Sequence, residues 1–155
     1  EGYKVLKNLL DSAMDFESSI MYPGIPEYFD NDGRGLYAYL TGAASWYMLT
    51  MITEVFGVRG ELGNLVIKPA LLPEQFDKDG KAAIKLNFSG RTLKITIHAD
   101  IDNIQDNNGV YNKIIRVECD GNELESADLK KVVIMKKRIE EMSCERCHEI
   151  DVFIK

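Results

Sequence analysis

Apolar residues recur at helical spacing near the start of the chain and at alternating spacing beyond Gly63, so the pattern divides into a helical part and a β part. Val5, Leu6, Leu9, Leu10 and Met14 form one stripe and predict a helix over residues 3–14. Tyr22-Pro23-Gly24-Ile25-Pro26 cannot continue it, because two prolines remove donors and restrict the residues before them, and Asn31-Asp32-Gly33 marks a further turn. A second helix is predicted from about Gly42 to Phe56, with Thr41 as its N-cap and Gly57 as its C′ residue. Its apolar residues, including Ala43, Trp46, Tyr47, Met48, Leu49, Ile52 and Val55, cover nearly the whole circumference, which predicts burial on all sides. Two helices and a β domain do not easily enclose such a helix. The pattern therefore implies neighbours from a longer polypeptide or a large self-association surface.

In the β part, Ile84, Leu86 and Phe88 share one strand face, Ser89-Gly90 turns the chain, and Leu93, Ile95 and Ile97 share a face of the return strand. Ile115, Val117 and Cys119 repeat the alternation before Asp120-Gly121, and Ile150, Val152 and Ile154 close the chain. Short strands separated by turns predict an antiparallel sandwich. The segment 136–142 is ambiguous between strand and short helix.

Composition narrows the function classes. With 155 residues and 45% apolar content the chain suits one ordinary domain, or a compact domain plus part of another. A net charge of -6 argues against the phosphate attraction on which nucleic-acid binding depends. The basic run Lys136-Lys137-Arg138 is answered by Glu140 and Glu141 and reads as a solvated surface. The longest apolar stretch, about residues 46–58, is interrupted by Thr50, Thr53 and Glu54 and is too short to span a bilayer, so no membrane role is expected. Three cysteines without repeating spacing suit a reducing compartment, and the expected location is the cytoplasm. The chain opens at Glu1-Gly2-Tyr3, inside the first helical pattern, which reads as a start within a longer polypeptide.

The run from Gly33 to Trp46, Gly-Arg-Gly-Leu-Tyr-Ala-Tyr-Leu-Thr-Gly-Ala-Ala-Ser-Trp, carries the candidate chemistry. A glycine-loosened loop leads into a helix start at which Gly42, Ala43 and Ala44 leave the first-turn amides open to an oxyanion. An ordinary N-cap on a buried helix would look the same from periodicity alone.

Three segments in order carry a resemblance: Tyr22-Pro-Gly-Ile-Pro-Glu-Tyr-Phe29, then Gly33 to Trp46, then Gly63-Asn-Leu-Val-Ile-Lys-Pro69. Together they resemble the C-terminal part of the cellobiose phosphorylase group, glycoside hydrolase family 94. The resemblance runs through roughly the first half of the chain and weakens in the β part. It implies an α+β architecture: residues 1–62 as two helices from the end of an (α/α)6-barrel catalytic domain, and residues 63–155 as an antiparallel jelly-roll β-sandwich. The implied reaction is inverting phosphorolysis, in which inorganic phosphate cleaves a β-linked glucoside to a sugar 1-phosphate while an aspartic acid protonates the leaving oxygen. That acid lies upstream in the family, so no catalytic residue is assigned here. Inorganic phosphate is a co-substrate, and no cofactor or metal is implied. Thr41 and Gly42 match a Thr-Gly pair that contacts phosphate. Glu27 falls where a glutamate faces the acceptor sugar, although Pro-Glu-Tyr here transposes the family's Glu-Pro-Tyr. Tyr28 and Arg34 lie in loops flanking the sugar site. The remainder of the catalytic barrel is the implied partner, and the resemblance is compatible with a homodimer.

A helix terminus contributes about 0.3 to 1 kcal/mol per anionic charge, up to roughly 2 in protected geometry, whereas even millimolar binding needs about 4 kcal/mol. Thr41 and Gly42 therefore need partners from other segments, and the chain alone is expected to be inactive. The alternative of another class is a non-catalytic carbohydrate-binding sandwich, and a third is a self-assembling domain using the apolar helix.

Other motifs favour plain readings. Cys144-Glu-Arg-Cys147-His148 fits the spacing of c-type haem attachment, and with Cys119 it could imitate a zinc site, but its place before the last strand suits a turn. Cys119 is in phase with Ile115 and Val117 and reads as a small buried apolar residue. Trp46, Tyr47, Met48 and Met51 read as core rather than a sugar platform. His98 is out of phase with Ile95 and Ile97 and points to the solvent face, with no role assigned. Asp102, Asp106, Asn107 and Asn108 lack the spacing of a calcium loop.

Overall fold

In the computed structural model, residues 1–21, 24–37, 42–100, 113–124 and 130–155 are described. The polar turn at residues 102–108 lies outside them. The chain forms two compact units, Glu1–Thr50 and Met51–Lys155.

The first unit holds α1 (Gly2–Met14), α2 (Phe16–Ser19), the short strands β1 (Tyr28–Phe29) and β2 (Gly35–Leu36), and α3 (Ala43–Thr50). In α1 the apolar stripe is only half-covered, since Val5 and Met14 are exposed and Ala13 is its one buried residue. Asp15 ends α1 and caps α2, its carboxylate accepting from the Ser18 amide and hydroxyl. Ser19 is buried, donating from Oγ to the Ala13 carbonyl at 3.1 Å. The β1–β2 hairpin turns through the Asn31-Asp32-Gly33 segment, where Asp30 Oδ1 accepts from the amides of Asp32 and Arg34 at 3.0 and 2.9 Å. Gly35 is required by packing, because a Cβ there would come within 2.4 Å of Met21 and 3.0 Å of Pro26.

The second unit begins with a π-helical turn, Met51–Val55, and contains β3 (Val58–Glu61), β4 (Asn64–Ile67), a 3₁₀ turn at Pro73–Gln75, β5 (Lys81–Phe88), β6 (Arg91–Ala99), β7 (Ile114–Cys119), β8 (Asn122–Glu123), β9 (Val132–Ile134), α4 (Lys136–Glu141) and β10 (Cys147–Ile154). One sheet has the order β5-β6-β10-β7-β8 and the other the order β3-β4-β9. Leu65 and Ile67 from the small sheet join Leu93, Ile95, Ile97, Val117, Ile150 and Val152 from the large one in a single core. Alternation therefore identified the buried face of β6 and β10 correctly, because each has one wet and one dry side.

Four differences from the sequence reading have physical causes. Among the described residues, strand pairing is antiparallel except that β6 and β10 run parallel, with Ile95 opposite Ile150, a partnership that alternation cannot encode. The compact β unit starts at Met51 rather than Gly63, because β3 pairs with β4 and carries residues 58–61 into the small sheet. The second helix splits at Thr50, and the π turn that follows still ends before Gly57, whose φ of +68° suits its expected terminal role. In β7, Ile114 is buried and Ile115 exposed, because the register shifts between Phe153 and Ile154 and leaves Ile115 as the extra residue of a bulge. The ambiguous segment after Met135 is the helix α4. The architecture is thus a mixed α+β fold with a few helices and largely antiparallel sheets.

Candidate functional site

The site expected from the sequence lies in the first unit. The hairpin gathers three of its residues: Glu27 and Tyr28 where β1 begins, and Arg34 at the end of the turn before β2. The Glu27 amide donates to the Leu36 carbonyl at 3.1 Å, which fixes its backbone while leaving the residue on the surface. Tyr28 is half-exposed, its ring 5.6 Å from that of Tyr37 at 45°. Arg34 is exposed and held through its backbone to Asp30. Gly42 is exposed at the start of α3, and its carbonyl accepts from the Trp46 amide at 2.9 Å. The Trp46 indole leans back toward it, so that a Cβ on Gly42 would sit 3.3 Å from Trp46 Cδ1. Thr41 lies outside the described residues.

One expectation is corrected here. Trp46 and Met48 are not core: α3 has no buried residue, and Trp46, Met48 and Leu49 are exposed by 68%, 59% and 46%. The periodicity was nearly uniform around the helix, and nothing among the described residues supplies the layer that such a helix needs. Tyr47 is partly covered; burial raises its phenol pKa, with smaller contributions from Tyr3 and Asp11 of α1.

A polar cluster that the sequence reading missed lies in the second unit, where the turn after β7 meets the start of β10. Asp120 (φ +50°) and Gly121 (φ +75°) form the tight turn. The Asp120 carboxylate then accepts from His148 Nδ1 at 2.7 Å, Arg146 Nη2 at 2.8 Å and the Glu149 amide at 3.1 Å. His148 is only 2% exposed, and its Nε2 lies 3.0 Å from the Ser143 carbonyl. Both ring nitrogens thus lie within hydrogen-bond distance of an oxygen. Burial alone would raise the Asp120 pKa, but the His148 and Glu149 hydrogen bonds and the charges of His148 and Arg146 outweigh it and hold the carboxyl below its ordinary range.

This cluster borders a cavity of about 420 Å³ also lined by Cys119, Arg138 and Glu141. It resembles an acid–base dyad in its Asp–His contact, yet Nε2, the atom that would take a proton from a nucleophile, is occupied by a backbone carbonyl. Burial first, and then the Asp120 charge, push the Cys119 thiol pKa up against the opposing effects of Arg138 and Arg146, so Cys119 is disfavoured as a thiolate. The arrangement is a structural clamp. It also leaves His148 without a nitrogen to serve as a haem or zinc ligand, and among the described residues no three His, Cys, Asp or Glu side chains converge as a metal site.

The outer face of the large sheet carries a third group. His98, Phe153 and Arg116 are adjacent across three strands. The His98 ring stacks on Phe153 at 4.5 Å and 15°, and the Arg116 guanidinium lies 3.9 Å from the Phe153 centroid. His98 Nε2 contacts Asp151 at 2.6 Å, and Arg116 pairs with Glu118 at 3.0 Å. Alternation places these residues on the outer face, but it is the parallel register of β6 with β10 that sets His98 beside Phe153, and the antiparallel register of β7 with β10 that sets Arg116 there.

No helix among the described residues is long and apolar enough to cross a membrane. No protein-family model matches the chain, and no curated protein matches it.

Proposed function

We propose that the chain is the C-terminal part of an inverting glycoside phosphorylase of the cellobiose phosphorylase group, with Thr41 and Gly42 contributing to the phosphate site. The reading rests on the three motifs in register, and the observation that favours it most is α3 itself. Apolar on every side yet without a buried residue, α3 has the composition of a helix from the interior of a larger α-helical domain. In this reading the remainder of the barrel covers Trp46, Met48 and Leu49 and supplies the general acid and further phosphate ligands. The hairpin bearing Glu27, Tyr28 and Arg34 borders the sugar site, and the second unit corresponds to the jelly-roll sandwich that follows the barrel.

The runner-up, a carbohydrate-binding sandwich, needs an aromatic face open for sugar stacking on the second unit. Phe153 is the aromatic centre of its outer face, and that ring is already occupied by His98 and Arg116. A glycan screen on the chain separates the two: specific sugar affinity abolished by Phe153→Ala favours the binding module. For the phosphorylase, the polypeptide translated from the complete reading frame should release a sugar 1-phosphate from a β-linked glucoside only when inorganic phosphate is present. Hydrolysis without phosphate, or no cleavage of any such glucoside, would overturn the assignment.

A further inference from the structure

A second cavity of the β unit, about 340 Å³, falls at the small end of the roughly 300–1,000 Å³ range of ligand pockets. Its backbone frame is fixed. The π turn closes with the Phe56 amide donating to the Met51 carbonyl at 3.0 Å, and π turns are rare and concentrated at functional sites. Beyond it, the Lys68 amide donates to the Gly57 carbonyl and the Ala70 amide to the Val55 carbonyl, both at 2.9 Å. Gly57 approaches the Lys68 backbone so closely that a Cβ would lie 1.7 Å from the Lys68 carbonyl oxygen. The segment carrying Lys68 is therefore held in place before any ligand arrives.

The lining is charged. Arg59 is committed, donating from Nε to the Thr53 carbonyl at 3.0 Å and from Nη2 to Glu54. Lys68 and Lys131 also line the cavity, and neither forms an ion pair among the described residues; Glu61 is the remaining acid. Two lysines outside any ion pair among the described residues, lining the same cavity as one further carboxylate, suit a ligand with an anionic end and hydroxyl groups. Ammonium groups serve phosphate as point charges, and a carboxylate accepts from hydroxyls.

We propose that this cavity binds a small polyol phosphate, with Lys68 and Lys131 on the phosphate group and Glu61 accepting from the hydroxyls. The site is separate from Thr41–Gly42 and stands or falls independently of the phosphorylase reading. The test is a titration of the ¹⁵N-labelled chain with glucose 1-phosphate, inorganic phosphate and glucose, followed by amide shifts at constant ionic strength set with chloride. Glucose 1-phosphate should give saturable shifts at Gly57, Lys68 and Lys131, inorganic phosphate weaker ones at the same residues, and glucose none over the same range. Lys68→Met with Lys131→Met should weaken glucose 1-phosphate binding by at least about tenfold, while the unchanged remainder of the spectrum reports an intact fold. Glu61→Gln should bring glucose 1-phosphate down to the affinity of inorganic phosphate. Shifts confined to the Gly42 region, no saturation, or equal binding by the double lysine variant would overturn the site.

Discussion

Asp120 Oδ2 and His148 Nδ1 lie 2.7 Å apart and join the turn after β7 to the first residues of β10, the central strand between β6 and β7. The contact is nearly dry on the histidine side, and Arg146 and the Glu149 amide complete the carboxylate's partners. The chain is thereby fixed where β10 enters its parallel pairing with β6.

Acid should loosen this clamp first. Because the folded state lowers the Asp120 pKa below the ordinary 3.8, it favours the ionised carboxylate, and that stabilisation is fully present above the ordinary value. It is lost as pH falls through the lowered value. Asp120→Asn should cost about 1–3 kcal/mol at neutral pH and show a shallower loss of stability below about pH 4 than the parent chain, measured by urea unfolding across pH. An identical acid limb in the variant would contradict the assignment.

Gly57 and Gly90 separate close approach from conformation. Both have positive φ, +68° and +75°, but an added Cβ meets the Lys68 carbonyl at Gly57 and nothing within 4 Å at Gly90. Gly90→Ala should cost about 1 kcal/mol, the left-handed penalty alone. Gly57→Ala should cost distinctly more, about 2 kcal/mol or above, since the backbone must move and the Lys68–Gly57 hydrogen bond with it. Equal losses in thermal unfolding would argue that the loop yields freely.

The exposed face of α3 should make the isolated chain self-associate. Light scattering over a concentration series should show mass increasing with concentration, and Trp46→Ser with Met48→Ser should lower that association. Because both side chains are exposed, the fold itself should be unaffected. A monomer at all concentrations would remove the need for a covering partner.

Legibility in the sequence followed what local pattern can encode. The hairpin through Ser89-Gly90, the buried faces of β6 and β10, the turn at Asp120-Gly121 and the end of the helical segment at Gly57 were all readable from alternation or turn chemistry. The parallel partnership of β6 with β10, separated by half the β unit, was not. Neither were the groupings that depend on it, so His98 read as an idle surface residue although register sets it against Asp151 and Phe153. His148 shows a related limit: its motif suggested a ligand or a turn, whereas burial between Asp120 and Ser143 gives it a structural task. For the candidate site, the turn at Asn31-Asp32-Gly33 was readable, but the two-residue pairing of β1 with β2 that brings Glu27, Tyr28 and Arg34 together was too short to show as alternation, and the exposure of α3 ran against its composition.

The phosphate dependence of β-glucoside cleavage by the complete gene product, compared with its Thr41→Val variant, tests the central claim most directly. Loss of a hydroxyl contact to the attacking oxyanion should raise KM for phosphate or lower kcat by about 10- to 1,000-fold while leaving KM for the glucoside nearly unchanged. Phosphorolysis with the parent phosphate dependence in the variant would place the anion elsewhere and contradict the assignment of Thr41 and Gly42.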